Sequence, residues 1–189
     1  TYHYERNPVD PRIQHALTLQ VDNYGNVLKS ATIGYGRRVP DSNLPTDNDR
    51  QEQIRTLITY TENSVAGARN THGAIDTPGA WRPPMPADVV TYELTGISPG
   101  SNAPRFSLDE WIQEDSALAR ATTEIPYEQV ADYTTPQKRP IERVCTLFRS
   151  NDLTDLLPLG ELEALAMPGE AYKLSFTPGL LAKAFMRGG

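Results

Sequence analysis

The sequence predicts a mainly β fold of antiparallel strands and hairpins, with one or two short helices and long loops. Three observations carry that prediction. Several short runs alternate apolar and polar residues with a period of two, which places one row of side chains on one face of a strand. Sixteen prolines and 13 glycines are spread over 189 residues, a density that favours loops and short strands over long helices. One stretch, Ser107-Leu108-Asp109-Glu110, carries the S-x-x-E start signal of a helix.

The elements follow in order. Residues 1–14 hold Pro8 and Pro11 among charges and read as an extended lead-in, and residues 15–97 as hairpin and strands. In the first hairpin, Leu17, Leu19 and Val21 alternate with Thr18 and Gln20, and Val27, Ala31, Ile33 and Tyr35 share a face of the return strand. Between them, Asp22-Asn23-Tyr24-Gly25-Asn26 is a turn cluster: Asp and Asn bond nearby backbone, and Gly25 takes positive φ without steric cost. Residues 36–50 read as a polar loop, Leu57 to Thr61 as a strand, 63–88 as a second long loop, and "DVVTYELTG" as a strand. Two segments, Thr59-Tyr60-Thr61-Glu62 and Thr91-Tyr92-Glu93-Leu94, look alike but are too short to establish a repeat. A helix is expected over about 107–120 from the capping box and the spacing of Leu108, Trp111, Ile112 and Leu118. Residues 125–140 are broken by proline. Residues 141–189 read as strands and a terminal helix: "PIERVCTLFRS", apolar on both faces, then "AYKLSFT", then a helix with Pro178 in its first turn. "LPLGELEALAMPGE" fits a bent strand or a helical turn equally well.

The bulk numbers exclude several classes. A net charge of −6 argues against affinity for nucleic acid or an anionic membrane surface, both of which need clustered Lys and Arg. No apolar run approaches the roughly 20 residues that span a bilayer as a helix. The lone Cys145 cannot staple the chain or build a Cys-rich zinc site. The chain starts at Thr1 and ends Gly188-Gly189, which reads as a single fragment or a processed chain.

Candidates for chemistry are few. His3, His15 and His72 lie far apart and match no metal-ligand spacing. Cys145 sits in an alternating strand without a neighbouring base. Asp41 to Asp49 gathers oxygens but lacks the EF-hand spacing. Glu161 and Glu163 read as surface charges. "GYGRR" puts Arg37 and Arg38 at a strand end, where pairing with carboxylates is expected. Trp81 anchors its own loop or docks in a groove. No P-loop, G-x-S-x-G or dinucleotide fingerprint is present, so neither catalytic residues, nor a metal, nor a cofactor are expected.

Five segments, in this order, resemble one family: "PRIQHALTLQVDNYGNVLKSATIGYGRR", "LITYTEN", "TYELTG", "KRPIERVCTLFRSNDL" and "LPLGELEALAMPGEAYKLSFTPGLLA". Together they are similar to the middle-to-C-terminal region of the B component of bacterial insecticidal toxin complexes (Tc toxins). The similarity runs from about Pro11 to Ala182; residues 40–50, 64–80 and 98–106 carry little of it. The resemblance implies a secreted assembly in which B and C components form a hollow shell of Rhs/YD-repeat strands around a toxic polypeptide. It also implies that B docks the shell on a channel-forming A component, so this chain would meet A only through the rest of B. It implies no catalytic residues here. Asp22-Asn23-Tyr24-Gly25-Asn26 matches the D-x-x-G-N core of a YD repeat, with Val21 where the leading Tyr would stand. Asp22, Gly25 and Asn26 are therefore expected to shape a turn that sets strand register.

Two other classes stay open. A β-rich binding module for carbohydrate or protein would use Trp81, Trp111 and tyrosines as a stacking surface. An enzyme would need convergent polar groups in a cleft. A shell segment instead predicts an open sheet with exposed edges, and self-association of the isolated chain.

Overall fold

The computed structural model describes residues 1–4, 7–67, 75, 78–100, 103–113, 116–121 and 123–185. Its centre is an open sheet of eight strands: β1 (Tyr2–His3), β2 (Arg12–Val21), β3 (Val27–Tyr35), β4 (Leu57–Ala66), β5 (Met85–Thr95), β6 (Thr123–Glu124), β7 (Gln137–Phe148) and β8 (Pro168–Lys173). The strands run β1-β2-β3-β4-β5-β7-β6, with β8 also on β7. Every pairing is antiparallel except β6 with β7. Four short helices join them: α1 (Asp47–Ile54), α2 (Asp109–Ile112), α3 (Ala117–Arg120) and α4 (Pro178–Phe185). The mainly β expectation holds.

Alternation decides which face is buried. Ala31 and Ile33 of β3, Ile58 and Tyr60 of β4, and Tyr92 and Leu94 of β5 form one apolar face. The connection from β5 to β7 lies over it and contributes Phe106, Trp111, Ala117 and Ala121. Full burial of one such large apolar side chain is worth about 1.5–3 kcal/mol. The alternate residues Thr32, Thr59, Thr61, Thr91 and Glu93 share the opposite, half-exposed face. The two look-alike segments are direct neighbours: Tyr60 stands opposite Tyr92 with ring centroids 6.2 Å apart, and Thr61 Oγ1 lies 3.4 Å from Thr91 Oγ1. A second cluster, around Ala66, Ile75, Ala87, Phe148 and Leu162, holds the loops at the far ends of β4, β5 and β7.

Several boundaries differ from the sequence expectation. The 1–14 lead-in contains β1 and the start of β2, because Pro8 and Pro11 lie between the two strands and outside their ladder. The 36–50 loop ends in α1, a helix with no buried residue. It has no apolar stripe to announce it; local polar bonds hold it instead. Thr46 Oγ1 accepts from the Asp49 amide at 3.1 Å, Asp49 Oδ2 accepts from the Thr46 amide at 3.3 Å, and Asp47 pairs with Arg50 at 2.7 Å. The 63–88 loop is shorter than expected, since β4 continues to Ala66 and β5 begins at Met85.

The single helix over 107–120 is two four-residue helices. The Ser107–Glu110 box does form, with the Ser107 amide donating to Glu110 Oε2 at 2.7 Å. The chain turns extended at Gln113, and Ser116 caps the second helix by accepting from the Ala119 amide at 3.1 Å. Proline at 140 does not end the broken stretch before it: β7 already begins at Gln137 and runs through Pro140 beside a register shift opposite Thr91 and Tyr92, where a missing donor is tolerated. Residues 141–143 of β7 are exposed, so the strand is not covered on both faces along its length. "LPLGELEALAMPGE" resolves as a loop leading into β8, which stops at Lys173 and leaves Leu174 and Phe176 beyond it and exposed. Pro178 does open the terminal helix.

The buried Asp10 ties the first turn to the end of β3. Its carboxylate accepts from the Arg38 amide at 3.0 Å and the Val39 amide at 3.1 Å, and pairs with Arg38 Nε at 3.4 Å. Arg37 donates to the Asp10 carbonyl. The expectation that these arginines pair with a carboxylate is met by Arg38. Burial acts to raise the Asp10 pKa, but the Val39 and Arg38 amides and the Arg38 guanidinium outweigh it and hold it below 3.8. A depressed folded pKa stabilises above the unfolded value and loses that stabilisation as pH falls through the folded value. Asp10→Asn should therefore lower the urea midpoint at neutral pH, and the gap to the parent should close in acid. A gap independent of pH would refute this assignment.

Candidate functional site

The β2–β3 turn is the one site singled out by residue. Asp22 Oδ1 accepts from the Tyr24 amide at 2.9 Å and the Asn26 amide at 2.8 Å, while Oδ2 accepts from Asn26 Nδ2 at 2.8 Å. The Asp22 amide donates to the Asn26 carbonyl at 3.0 Å, and the Gly25 amide to the Asp22 carbonyl at 3.2 Å. Gly25 has φ of 86°. Desolvation pushes the Asp22 carboxyl upward, yet the Asn26 side chain and the amides of Asn26, Tyr24 and Gly25 more than offset it and keep the group below its usual range. Asp22, Gly25 and Asn26 are thus together in one turn, and the oxygens of Asp22 are taken up by the turn itself. Beside the turn, β2 and β3 shift register twice, between Thr18 and Gln20 and between Gln20 and Val21.

The other flagged residues are dispersed. His3 is in β1, and His15, in β2, lies 3.4 Å from the Tyr35 hydroxyl. That hydroxyl accepts from the Phe106 amide at 3.0 Å, tying the covering connection to β3. Burial pushes the Tyr35 pKa up, so the phenol stays protonated at neutral pH. His72 lies outside the described residues. Among the described residues no three His, Cys, Asp or Glu side chains are grouped closely enough to hold a metal ion. Cys145 is half-buried in β7, opposite Asp88 and Tyr172. In the Asp41 to Asp49 stretch, Asp41 accepts from the Asn43 amide at 2.9 Å and Asp49 caps α1. Glu163 accepts from the Asn151 amide at 2.5 Å and braces the loop before β8.

The two tryptophans part company. Trp111 is 3% exposed and belongs to the core, so it cannot stack on a ligand. Trp81 is exposed and packs on Tyr24 at the hairpin tip, 6.3 Å between centroids and tilted by 50°. This favours the loop-anchoring reading of Trp81. The antiparallel neighbours β5 and β7 are locked by ion pairs that the sequence did not signal: Glu93–Arg139 at 2.6 Å and Asp88–Arg143 at 2.7 Å. The α1 capping box did have a sequence signal, T-x-x-D at Thr46.

A cleft of about 620 Å³ lies between β2, β3 and α1 and includes His3, Tyr35, Asp49, Glu52 and Arg55. Its charges are engaged locally: Arg55 pairs with Glu52 at 2.7 Å and lies 3.9 Å over the Tyr133 ring. Among the described residues no helix is long and apolar enough to cross a membrane.

Residues 1–75 match the family model described as the insecticide toxin TcdB middle/C-terminal region. No curated protein matches. Among solved structures, the crystal structure of TcdB2-TccC3 covers 98% of this chain with a TM-score of 0.65 at 20% identity. That of TcdB2-TccC3-TEV covers 98% with a TM-score of 0.66 at 19% identity. The chain spans only 8% of the length of either. The chain is therefore similar in sequence, over its first 75 residues, to the insecticide toxin TcdB middle/C-terminal region, and in fold, over nearly all of its length, to a stretch of TcdB2-TccC3.

Proposed function

We propose that this chain is a non-catalytic structural segment of the B subunit of an insecticidal toxin complex. It contributes strands to the shell that B forms with the C component, and that shell encloses and delivers a toxic polypeptide. The observation that carries the reading is the fold: nearly the whole chain matches a stretch of TcdB2-TccC3, and it would make up a small part of such a subunit. The sheet supports it, since among the described residues its strands do not close into a barrel and a strip of this kind suits a larger wall. So does the use of polar side chains in turns, caps and cross-strand pairs. In this reading the C component is the direct partner, the A component is met through the rest of B, and the assembly is secreted. No cofactor, nucleic acid or membrane insertion is involved.

Within that role, the Asp22–Asn26 turn sets the register of β2 on β3. Gly25→Val introduces a β-branched residue at positive φ, a strain of about 1–3 kcal/mol. Made in a full B subunit, it should lower thermal stability and the yield of B–C complex on co-purification. Unchanged stability and unchanged assembly would overturn the role given to the turn. A B subunit lacking the whole segment that still assembled with C would overturn the shell reading.

A further inference from the structure

We propose that the cavity between β5, β7 and the segments that follow β6 and β8 is a binding site for a neutral phenolic ring, which exchanges a hydrogen bond with the hydroxyl of Tyr92. The cavity has a volume of about 290 Å³ and is lined by Tyr92, Tyr127 and Thr177 among others. Small-molecule sites start at about 300 Å³, so there is room for one ring and not for a large cofactor.

The fold leaves one hydroxyl of this cavity unused. Tyr92 is 9% exposed. Among the described residues nothing hydrogen-bonds its hydroxyl. The Tyr60 hydroxyl beside it donates to Glu62 Oε1 at 2.9 Å, and the Tyr35 hydroxyl accepts from the Phe106 amide at 3.0 Å. A buried hydroxyl ordinarily has such a partner. The charges that act on the Tyr92 hydroxyl are those of Glu62, Lys138, Glu124 and Arg143; of these, Glu124 and Arg143 line the cavity together with Tyr92 itself. The free hydroxyl therefore opens on the cavity. Burial pushes its pKa up, so it is protonated at neutral pH and can both donate and accept.

The rest of the lining selects the ligand. Val90, Pro140, Ile141 and Leu174 supply apolar wall, and Tyr127 an aromatic ring. The charges are already neutralised in pairs: Glu124 with Lys138 at 3.1 Å, Arg143 with Asp88 at 2.7 Å, and Glu142 with Lys173. A charged ligand has to compete with one of these pairs, whereas a neutral one leaves them intact. The Ser175 hydroxyl donates to the Lys173 carbonyl at 3.4 Å and the Thr177 hydroxyl to Glu128 Oε2 at 2.8 Å, so their protons are committed as well. What remains is an apolar slot with one free hydroxyl, which matches an aromatic ring carrying a single hydroxyl. A tyrosine side chain of another polypeptide and a small free phenol share that chemistry. The site goes beyond the shell role and does not rest on it.

The test is titration calorimetry on a full B subunit that contains this segment, with p-cresol and with p-xylene, in which a methyl group replaces the hydroxyl. One site is expected, with p-cresol bound about tenfold more tightly than p-xylene. Tyr92→Phe should abolish that preference without lowering the melting temperature, because the hydroxyl it removes has no partner among the described residues. Ile141→Trp, at an exposed position, should fill the cavity and abolish binding of both. The peptide Gly-Gly-Tyr-Gly-Gly separates the sources: its binding assigns the site to a tyrosine side chain, and binding of p-cresol alone assigns it to a free phenol. Absence of p-cresol binding, binding that survives Ile141→Trp, or a preference that survives Tyr92→Phe would overturn the proposal, whatever becomes of B–C assembly.

Discussion

Gly96→Ala is expected to destabilise the chain severely. Gly96 ends β5 with φ of 66°, and a Cβ there would stand 2.1 Å from both the carbonyl carbon and oxygen of Thr135 and 2.5 Å from Pro136 N. The neighbour is backbone and is held in place. Asp132 accepts from the Thr134 amide at 2.8 Å and from the hydroxyls of Thr134 and Thr135 at 2.6 Å, and its pKa is drawn down to about 2 by them. Positive φ costs about 1–3 kcal/mol for a residue with a Cβ. Overpacking against a rigid turn adds about 1–3 kcal/mol more. Gly25→Ala is the control: its φ is also positive, but no atom lies within 4 Å of the added Cβ. The urea midpoint of Gly96→Ala should fall well below that of Gly25→Ala. Equal midpoints would mean that the turn at 132–135 yields.

Trp111→Ala should cost about 3–5 kcal/mol, the range for removing a large buried aromatic. Against a total stability of about 5–15 kcal/mol, that brings the chain close to unfolding. Trp111 packs edge-on against Phe106 at 5.3 Å, and Phe106 in turn lies 6.4 Å from Tyr35 of β3. This aromatic chain fastens the β5–β7 connection over the sheet. One detail separates packing from hydrogen bonding: Trp111 Nε1 is buried without a partner among the described residues. An unsatisfied buried donor costs about 1–3 kcal/mol. Trp111→Phe removes that donor together with part of the ring, so it should lose far less than Trp111→Ala. Urea melts of the two variants would check this, and an equal loss in both would show that the indole N–H is satisfied in solution.

The legible parts of the fold were those set by neighbours in sequence. The hairpin at 17–35 was readable because alternation and a D-x-x-G-N turn agree over one short stretch. The Ser107–Glu110 box was readable for the same reason, although the helix beyond it was not: Gln113 turns extended and Ser116 starts a new one. Helix α1 escaped because its bonds are polar and local, with no apolar stripe. Pro140 misled because a proline is excluded from a ladder only where its N–H would be needed. Trp111 looked like a stacking residue and proved to be core, a distinction that burial makes and residue type does not.

By itself the sequence determined the β class, the face that β3 buries at Ala31 and Ile33, and the residues that make the Asp22–Asn26 turn. Only the tertiary structure decided that Tyr60 stands against Tyr92, that Asp10 latches Arg38, and that Glu93 and Asp88 pair with arginines 46 and 55 residues away. The reason is physical: a period of two reports which side chains share a face of one strand, whereas the strand lying beside it is chosen by loop closure and burial over the whole chain.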